Sequence, residues 1–357
     1  MPLHPTKAAR RRLAPGELDL PACGELGLID RIRARAARIE NPGLRLGIGD
    51  DCALLKARAG EEIAVTTDLS IAGRHFEPAW HPPEAVGHRT LARGLSDLAA
   101  MGARPLAAFL SLALPRDLIQ SPRARSAWID RFLYGFLALA AQTGTPLAGG
   151  DLAESALFTA DVVLVGAVPR GKALLRSGAR AGDLLYVTGA LGGSAAGLAG
   201  LRQLAEKKDA ASPPRIPARL APMLAPHLYP QPRLAAGLAL VRRRLASAAI
   251  DLSDGLSSDL AHICAESRVR AEIDAAALPI HAGTTLDQAL HGGEDYELLF
   301  TAPSATRVPL SLGGVSVTRI GRILRPLGNR PLVTLLTPSG SEPLPPRGWQ
   351  HFTSGKG

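Results

Sequence analysis

Cysteine is scarce in this chain of 357 residues. Cys23, Cys52 and Cys264 are far apart and odd in number, which excludes a disulfide framework, and without C-x-x-C or H-E-x-x-H a structural or peptidase zinc site is excluded too. A reducing cytoplasm is the expected compartment. Aromatic residues are only 4% of the chain and never alternate with the basic ones, so a nucleic-acid partner is not expected. Long apolar runs are also missing. Leu106–Leu114 and Val162–Val168 fall far short of the roughly 20 residues of a membrane helix, so no membrane partner is expected.

Acidic residues are the minority charge, 32 against 41 Lys and Arg, giving a formal net charge of +9. Against that background three local clusters of carboxylates stand out: Gly47-Ile48-Gly49-Asp50-Asp51, Asp251-Leu252-Ser253-Asp254-Gly255 and Gly292-Gly293-Glu294-Asp295-Tyr296. Each mixes carboxylates with Gly or Ser beside apolar runs. Buried carboxylates are costly without a counter-cation, and sites that gather several commonly hold a hard metal ion. The contrast points to Mg²⁺ and a phosphorylated substrate.

The length suits about two domains, and 46% hydrophobic residues suit a folded globular chain. Residues 1–20, with Lys7, Arg10, Arg11 and Arg12, read as a basic disordered tail, the alternative being a nucleic-acid arm. Residues 21–169 form the expected first domain. Within it, Ile63–Thr67 reads as a strand ending at Asp68, and Pro83–Met101 as a helix with Leu91, Leu95 and Leu98 as its buried seam. Asp97 points away from that seam. A strand at Leu106–Leu114, a helix at Arg123–Ala141, a short strand into Gly149-Gly150-Asp151 and a strand at Leu157–Val168 follow.

Pro169-Arg170-Gly171 marks the expected boundary with a second domain, 170–357. Strands are expected at Asp183–Thr188, Ala248–Leu252, Glu297–Thr301 and Val315–Ile323, and a small-residue helix after Gly189, Gly192 and Gly193. Residues Glu206–Pro232 read as an insertion or irregular connection. Helices and strands mix throughout, so the expected fold class is α+β in both halves. One tempting motif fails. Gly166–Ala173 nearly matches a P-loop, but Ala173 stands where a metal-binding Ser or Thr is needed, and Pro169 removes an amide.

Taken singly, Asp50, Asp51, Asp68, Asp97, Asp151, Asp251 and Asp254 could each be turn formers or helix caps. Together, in these contexts, they suit several Mg²⁺ ions shared with substrate phosphates.

Gly47–Leu55 (GIGDDCALL), Thr66–Phe76 (TTDLSIAGRHF), Leu95–Pro105 (LSDLAAMGARP), Arg176–Gly189 (RSGARAGDLLYVTG), Ala249–Leu260 (AIDLSDGLSSDL) and Gly292–Thr301 (GGEDYELLFT) resemble, in order, the signatures of the thiamine-monophosphate kinase family. That family belongs to a superfamily shared with aminoimidazole ribonucleotide synthetase. The resemblance implies a two-domain α+β fold whose N-terminal sheet domain binds ATP and magnesium and forms a homodimer. It implies transfer of the γ-phosphoryl group of ATP to thiamine monophosphate with several Mg²⁺ ions. By position it makes Asp51, Asp68 and Asp97 central metal ligands, assisted by Thr66 and Thr67, with Asp251 and Asp254 completing the set. Gly150 and Asp151 would meet nucleotide and metal, Arg176 and Ser253 the ATP phosphates, and His75, Glu294 and Trp349 the thiamine. Asp97 and Asp151 would carry the catalytic burden.

The chain departs from the family pattern at Gly94 (usually Asn), at Leu152 and Ala153 (usually two Thr), at Gly193 (usually Asp) and at Tyr229 (usually Arg). These departures leave open a nucleotide-binding relative without turnover, or another ATP-dependent enzyme of the superfamily.

Overall fold

Apolar and β-branched residues dominate 61–71, 104–114 and 159–169, and these segments form three long strands of one sheet. The computed structural model describes residues 25–116, 118, 126–206, 216–328 and 330–349; the expected basic tail and Cys23 lie outside that range. Helix α1 (Glu25–Ala36) and a small hairpin, β1 (Leu44–Leu46) with β2 (Leu54–Leu55), lead into the sheet. Its elements are β3 (Glu61–Ile71), α2 (Pro83–Ala100), β4 (Arg104–Leu114), α3 (Ser126–Thr143), β5 (Leu147–Gly149), β6 (Leu152–Glu154) and β7 (Thr159–Pro169). The edge strand β3 pairs antiparallel with β7, β7 pairs antiparallel with β4, and β5 and β6 run parallel to β4.

β3 is longer than expected. Leu69 and Ile71 keep the extended pattern going, and β7 pairs with it along its whole length, so Asp68 lies inside the strand instead of at its end. Alternation along the strands divides the sheet into two faces. Ala160, Val162 and Leu164 pack inward with Leu91, Leu95 and Leu98 of α2 and Phe132 and Phe136 of α3. On the opposite face Ile63, Val65 and Leu69 are exposed by 51%, 64% and 49%.

Helices α2 and α3 cross at backbone contact. A Cβ at Gly135 would lie 1.8 Å from the Glu84 carbonyl oxygen, and one at Gly87 would lie 1.9 Å from that of Phe132. Alanine in a helix normally gains about 1 kcal/mol over glycine. Here overpacking of about 1–3 kcal/mol or more outweighs that gain. Gly135→Ala is therefore expected to lower the melting temperature, and an unchanged or higher value would refute the close crossing.

The second sheet follows the order β15-β14-β10-β13-β8-β11-β9. Its strands are β8 (Leu184–Thr188), β9 (Ala248–Asp251), β10 (Arg270–Asp274), β11 (Leu298–Ala302), β13 (Val315–Leu324), β14 (Val333–Thr337) and β15 (Gly340–Pro343), with β12 (Ser311–Leu312) paired to β13. Helices α4 (Gly193–Glu206), α5 (Ala221–Leu228), α6 (Leu234–Arg243), α7 (Leu256–Ser267) and α8 (Leu286–His291) complete it. Leu256, Leu260 and Ile263 of α7 cover one sheet face. The other face, through Leu298 and Phe300, joins Leu234 and Leu240 of α6 and the core of the first sheet. Contact is again at backbone distance, since a Cβ at Gly237 of α6 would lie 1.9 Å from the Ala99 oxygen of α2. The edge strand β9 therefore lies beside α2.

The segment expected to be irregular is partly helical. Residues 207–215 lie outside the described range, but α5 places Leu224 and Leu228, four apart, in a small core with Ala85 and Leu201. Among the described residues no helix is long and apolar enough to cross a membrane.

Candidate active site

Alternation along β3 turns Thr66 and Asp68 inward and Thr67 outward. The Thr66 hydroxyl donates to Asp97 Oδ2 from α2, whereas the Thr67 hydroxyl donates to Asp161 Oδ1 at 2.8 Å on the exposed face. The two threonine side chains thus serve different faces, contrary to a shared role for their hydroxyls. One residue before Asp97, Ser96 donates across to Asp251 Oδ2 at 2.7 Å. Asp251 ends β9 and is 3% exposed. Three carboxylates from β3, α2 and β9 therefore meet where the two sheets join.

Their electrostatics reflect crowding. Burial, then the Asp97 charge, pushes Asp68 up to about 6. Burial, then Asp97, pushes Asp251 up to about 7. Asp97 is also raised by burial, opposed by the Thr66 hydrogen bond and by the charges of Arg176 and Arg93. Asp68 Oδ1 lies 3.7 Å from Arg93 Nε, while its buried Oδ2 has no hydrogen-bond partner among the described residues. An orphaned carboxylate oxygen among mutually repelling carboxylates is the donor set of a hard divalent cation, and these residues fit one.

The carboxylates open onto a cleft of about 500 Å³. Ser253 and Asp254 line it from the β9–α7 loop, where a Cβ on Gly255 (φ +114°) would sit 2.8 Å from the His291 oxygen. Asp259 holds this turn by accepting the Asp254 and Gly255 amides at 3.1 and 3.0 Å. His75, Trp80, His81, Glu294 and Trp349 line the same cleft. Glu294 and Tyr296 hold left-handed backbones, φ 67° and 51°, in the loop before β11. Such strain in residues other than glycine persists where the surroundings enforce it, commonly at functional sites. Here the Glu294 and Tyr296 amides donate to Ser253 O and Leu252 O at 2.8 and 2.9 Å, and Asp295 accepts the Gly192 and Ser194 amides at 2.6 and 3.0 Å.

Buried Arg89 of α2 fixes the Glu294 carboxylate. It donates to Glu294 Oε1 at 2.6 Å, to the His227 carbonyl at 2.6 Å and to the His75 carbonyl at 3.3 Å. Burial works to raise the Glu294 pKa, but Arg89 and Arg93 outweigh it and keep the carboxylate charged. His81 and His227 face each other, Nε2 to Nε2 at 3.0 Å, and burial holds both neutral, His81 falling to about 3. Trp80 stacks on His81 at 4.4 Å, and the Trp349 amide donates to Asp254 O at 3.1 Å, leaving the indole half exposed over the cleft.

Of the expected site residues, Asp68, Asp97, Asp251, Ser253, Asp254, His75, Glu294 and Trp349 line this cleft. Asp51 is exposed on the β1–β2 loop, and Asp151 is exposed between β5 and β6. Gly150 beside it has φ +153°, and a Cβ there would fall 1.9 Å from the Leu110 oxygen, so the turn admits only glycine. Arg176, exposed on a short 3-10 turn, is close enough for its charge to lower Asp97 and Asp251. Unanticipated were Arg89 and Arg93. With Asp97 they stand four residues apart on α2, a polar stripe through an apolar helix that was available as a signal.

Residues 49–168 match the AIR synthase related protein N-terminal domain, and residues 180–323 match the corresponding C-terminal domain. The thiamine-monophosphate kinase of Salmonella typhimurium is 42% identical over 319 residues, 85% of this chain and 91% of that protein. The crystal structure of thiamine-monophosphate kinase from Stenotrophomonas maltophilia superposes with TM-score 0.72 at 40% identity, covering 87% of this chain and 96% of that one. AaThiL complexed with AMPPCP and TMP superposes with TM-score 0.70 at 31% identity, covering 94% and 100%.

Proposed function

The chain belongs to the thiamine-monophosphate kinases of the AIR synthase related family, and we propose from that premise that it transfers the γ-phosphoryl group of ATP to thiamine monophosphate by direct in-line displacement. The observation that carries the reading is the meeting of Asp68, Asp97 and Asp251 in a cleft that also presents a charged Glu294, oriented by Arg89 about two turns of α2 from Asp97. The acceptor phosphate is largely dianionic at neutral pH and already nucleophilic, so no general base is required. The task is to hold two polyanions in line.

Asp68, Asp97 and Asp251 would hold magnesium, joined by Asp51, Asp151, Asp254, Thr66 and, through atoms other than its outward hydroxyl, Thr67. Bound there, magnesium would neutralise phosphate charge. Gly150 and Asp151 meet the nucleotide from the β5–β6 turn, and Arg176 and Ser253 engage its phosphates. Glu294 attracts the cationic heterocycle while Arg89 fixes its carboxylate, Trp349 supplies an aromatic face, and His75 closes the rim.

The reading carries an organisation with it: a tail over 1–20, an ATP- and magnesium-binding domain over 21–169, and a second domain over 170–357. A homodimer would cover the exposed Ile63, Val65 and Leu69 of β3, whose apolar face is otherwise open to water. A cytoplasmic location suits an ATP-consuming enzyme with an exposed free thiol at Cys52.

The test is thiamine diphosphate formation from thiamine monophosphate, ATP and MgCl₂. Steady product that stops on adding EDTA is expected. Folded protein that binds Mg·ATP yet makes no product would overturn the reading.

A further inference from the structure

We propose that Arg93 receives the phosphate of the acceptor and so sets the preference for thiamine monophosphate over thiamine. The inference rests on the function proposed above and assigns a role to a residue that function did not use. Arg89, Arg93 and Asp97 follow one another at four-residue spacing on α2, so they descend the helix in steps of roughly 6 Å along one face. The upper residue, Arg89, holds Glu294, and the lower, Asp97, belongs to the carboxylate group. Arg93 lies between them and lines the cleft.

The acceptor has matching polarity. Its cationic ring is joined to its phosphate by a short tether. With the ring at Glu294 and the reacting phosphate beside the carboxylates, the phosphate must pass the level of Arg93. The other arginines lining the cleft, Arg74 and Arg202, are exposed. Arg93 has a side chain only 18% exposed, and its ion pair with Asp68, at 3.7 Å, is longer than a hydrogen bond. A guanidinium has five N–H donors in a planar fork suited to two phosphate oxygens, and one loose contact leaves most of them available. A guanidinium stays protonated in proteins whatever its setting, so Arg93 brings a positive charge to the cleft.

A purely structural Arg93 would serve as the counter-ion of Asp68 and be indifferent to the ligand's phosphate. The experiment therefore compares two ligands that differ only there. Thiamine monophosphate and thiamine are titrated calorimetrically, in MgCl₂, into the wild type, Arg93→Gln and Arg93→Lys. We expect Arg93→Gln to weaken thiamine monophosphate by about tenfold to a hundredfold and thiamine by less than about twofold, with Arg93→Lys between. The ratio of the two affinities within one preparation is insensitive to its folded fraction, and Arg93→Lys keeps the charge if Arg93→Gln folds poorly. Equal weakening of both ligands, or none for thiamine monophosphate, overturns the role of Arg93. A wild type that makes thiamine diphosphate while Arg93→Gln keeps its KM for thiamine monophosphate does the same and leaves the kinase reading standing. A wild type that makes no thiamine diphosphate removes the kinase reading itself.

Discussion

Asp97→Asn is expected to lower thiamine diphosphate formation by about a thousandfold, the size of loss seen when a group facing transition-state charge is removed. Asparagine keeps the shape of the side chain and an oxygen that can still accept from the Thr66 hydroxyl, so the local fold survives. Alanine would strand that hydroxyl and confuse loss of chemistry with loss of structure. What asparagine removes is one of three buried negative charges, and Asp97 is the first charge acting on both Asp68 and Asp251. Removing it relieves repulsion, so the variant should melt no lower than the wild type in EDTA and gain less from MgCl₂. Activity above a tenth of wild type would mean that Asp97 does not hold the cation. A lower melting temperature in EDTA would mean that its charge is already compensated within the protein.

How much of this was legible beforehand depended on whether a feature is local. The span of α2 is written in local terms: Pro83 at its start, apolar residues at helical spacing, and a glycine, Gly102, just past its end. The small helix α5 is equally local, since Leu224 and Leu228 stand one turn apart, but Pro-rich flanks masked it. The meeting of Asp68, Asp97 and Asp251 is not local. It depends on β9 taking the edge of the second sheet and on the contact between Gly237 and Ala99, which no pattern within either segment announces. The separate orientations of Thr66 and Thr67 follow from β-alternation and were already legible in the expected strand Ile63–Thr67, whereas the face taken by Asp68 became clear only once β3 was known to continue through it. Gly94, a departure from the family pattern, also acquires a physical setting. A Cβ there would lie 2.7 Å from Leu164 Cδ1 and 3.5 Å from Asp68 Oδ2, so position 94 itself puts no side chain against the orphaned oxygen.

Stability without metal should bear the mark of the same carboxylates, with a sign that can be worked out. Asp68 and Asp251 titrate near 6 and 7 in the folded protein, above the usual carboxylate value of 3.8. The folded state therefore holds protons that the unfolded chain has released, and stability falls as pH rises from about 4 to about 7. At 1.36 kcal/mol per pKa unit, and with the sites coupled and not additive, the loss is on the order of a few kcal/mol. His81 and His227 act oppositely, because burial keeps them neutral while the unfolded chain protonates below about 6.5, so the overall slope does not isolate the carboxylates. Two differences do. MgCl₂ competes with protons for the carboxylates, so its stabilisation, read as the melting shift relative to EDTA, should be small at pH 5 and large at pH 7.5. Asp251→Asn retains an acceptor for Ser96 but cannot ionise, so in EDTA its advantage over the wild type should grow across the same interval. Asp295, raised by burial, remains in both proteins and cancels from the comparison, whereas Asp259, raised by burial and then by the Asp251 charge, is relieved in Asp251→Asn and widens the difference in the same direction. A magnesium shift independent of pH, or parallel wild-type and Asp251→Asn curves, would show that this carboxylate is neutralised by the protein and not by a cation.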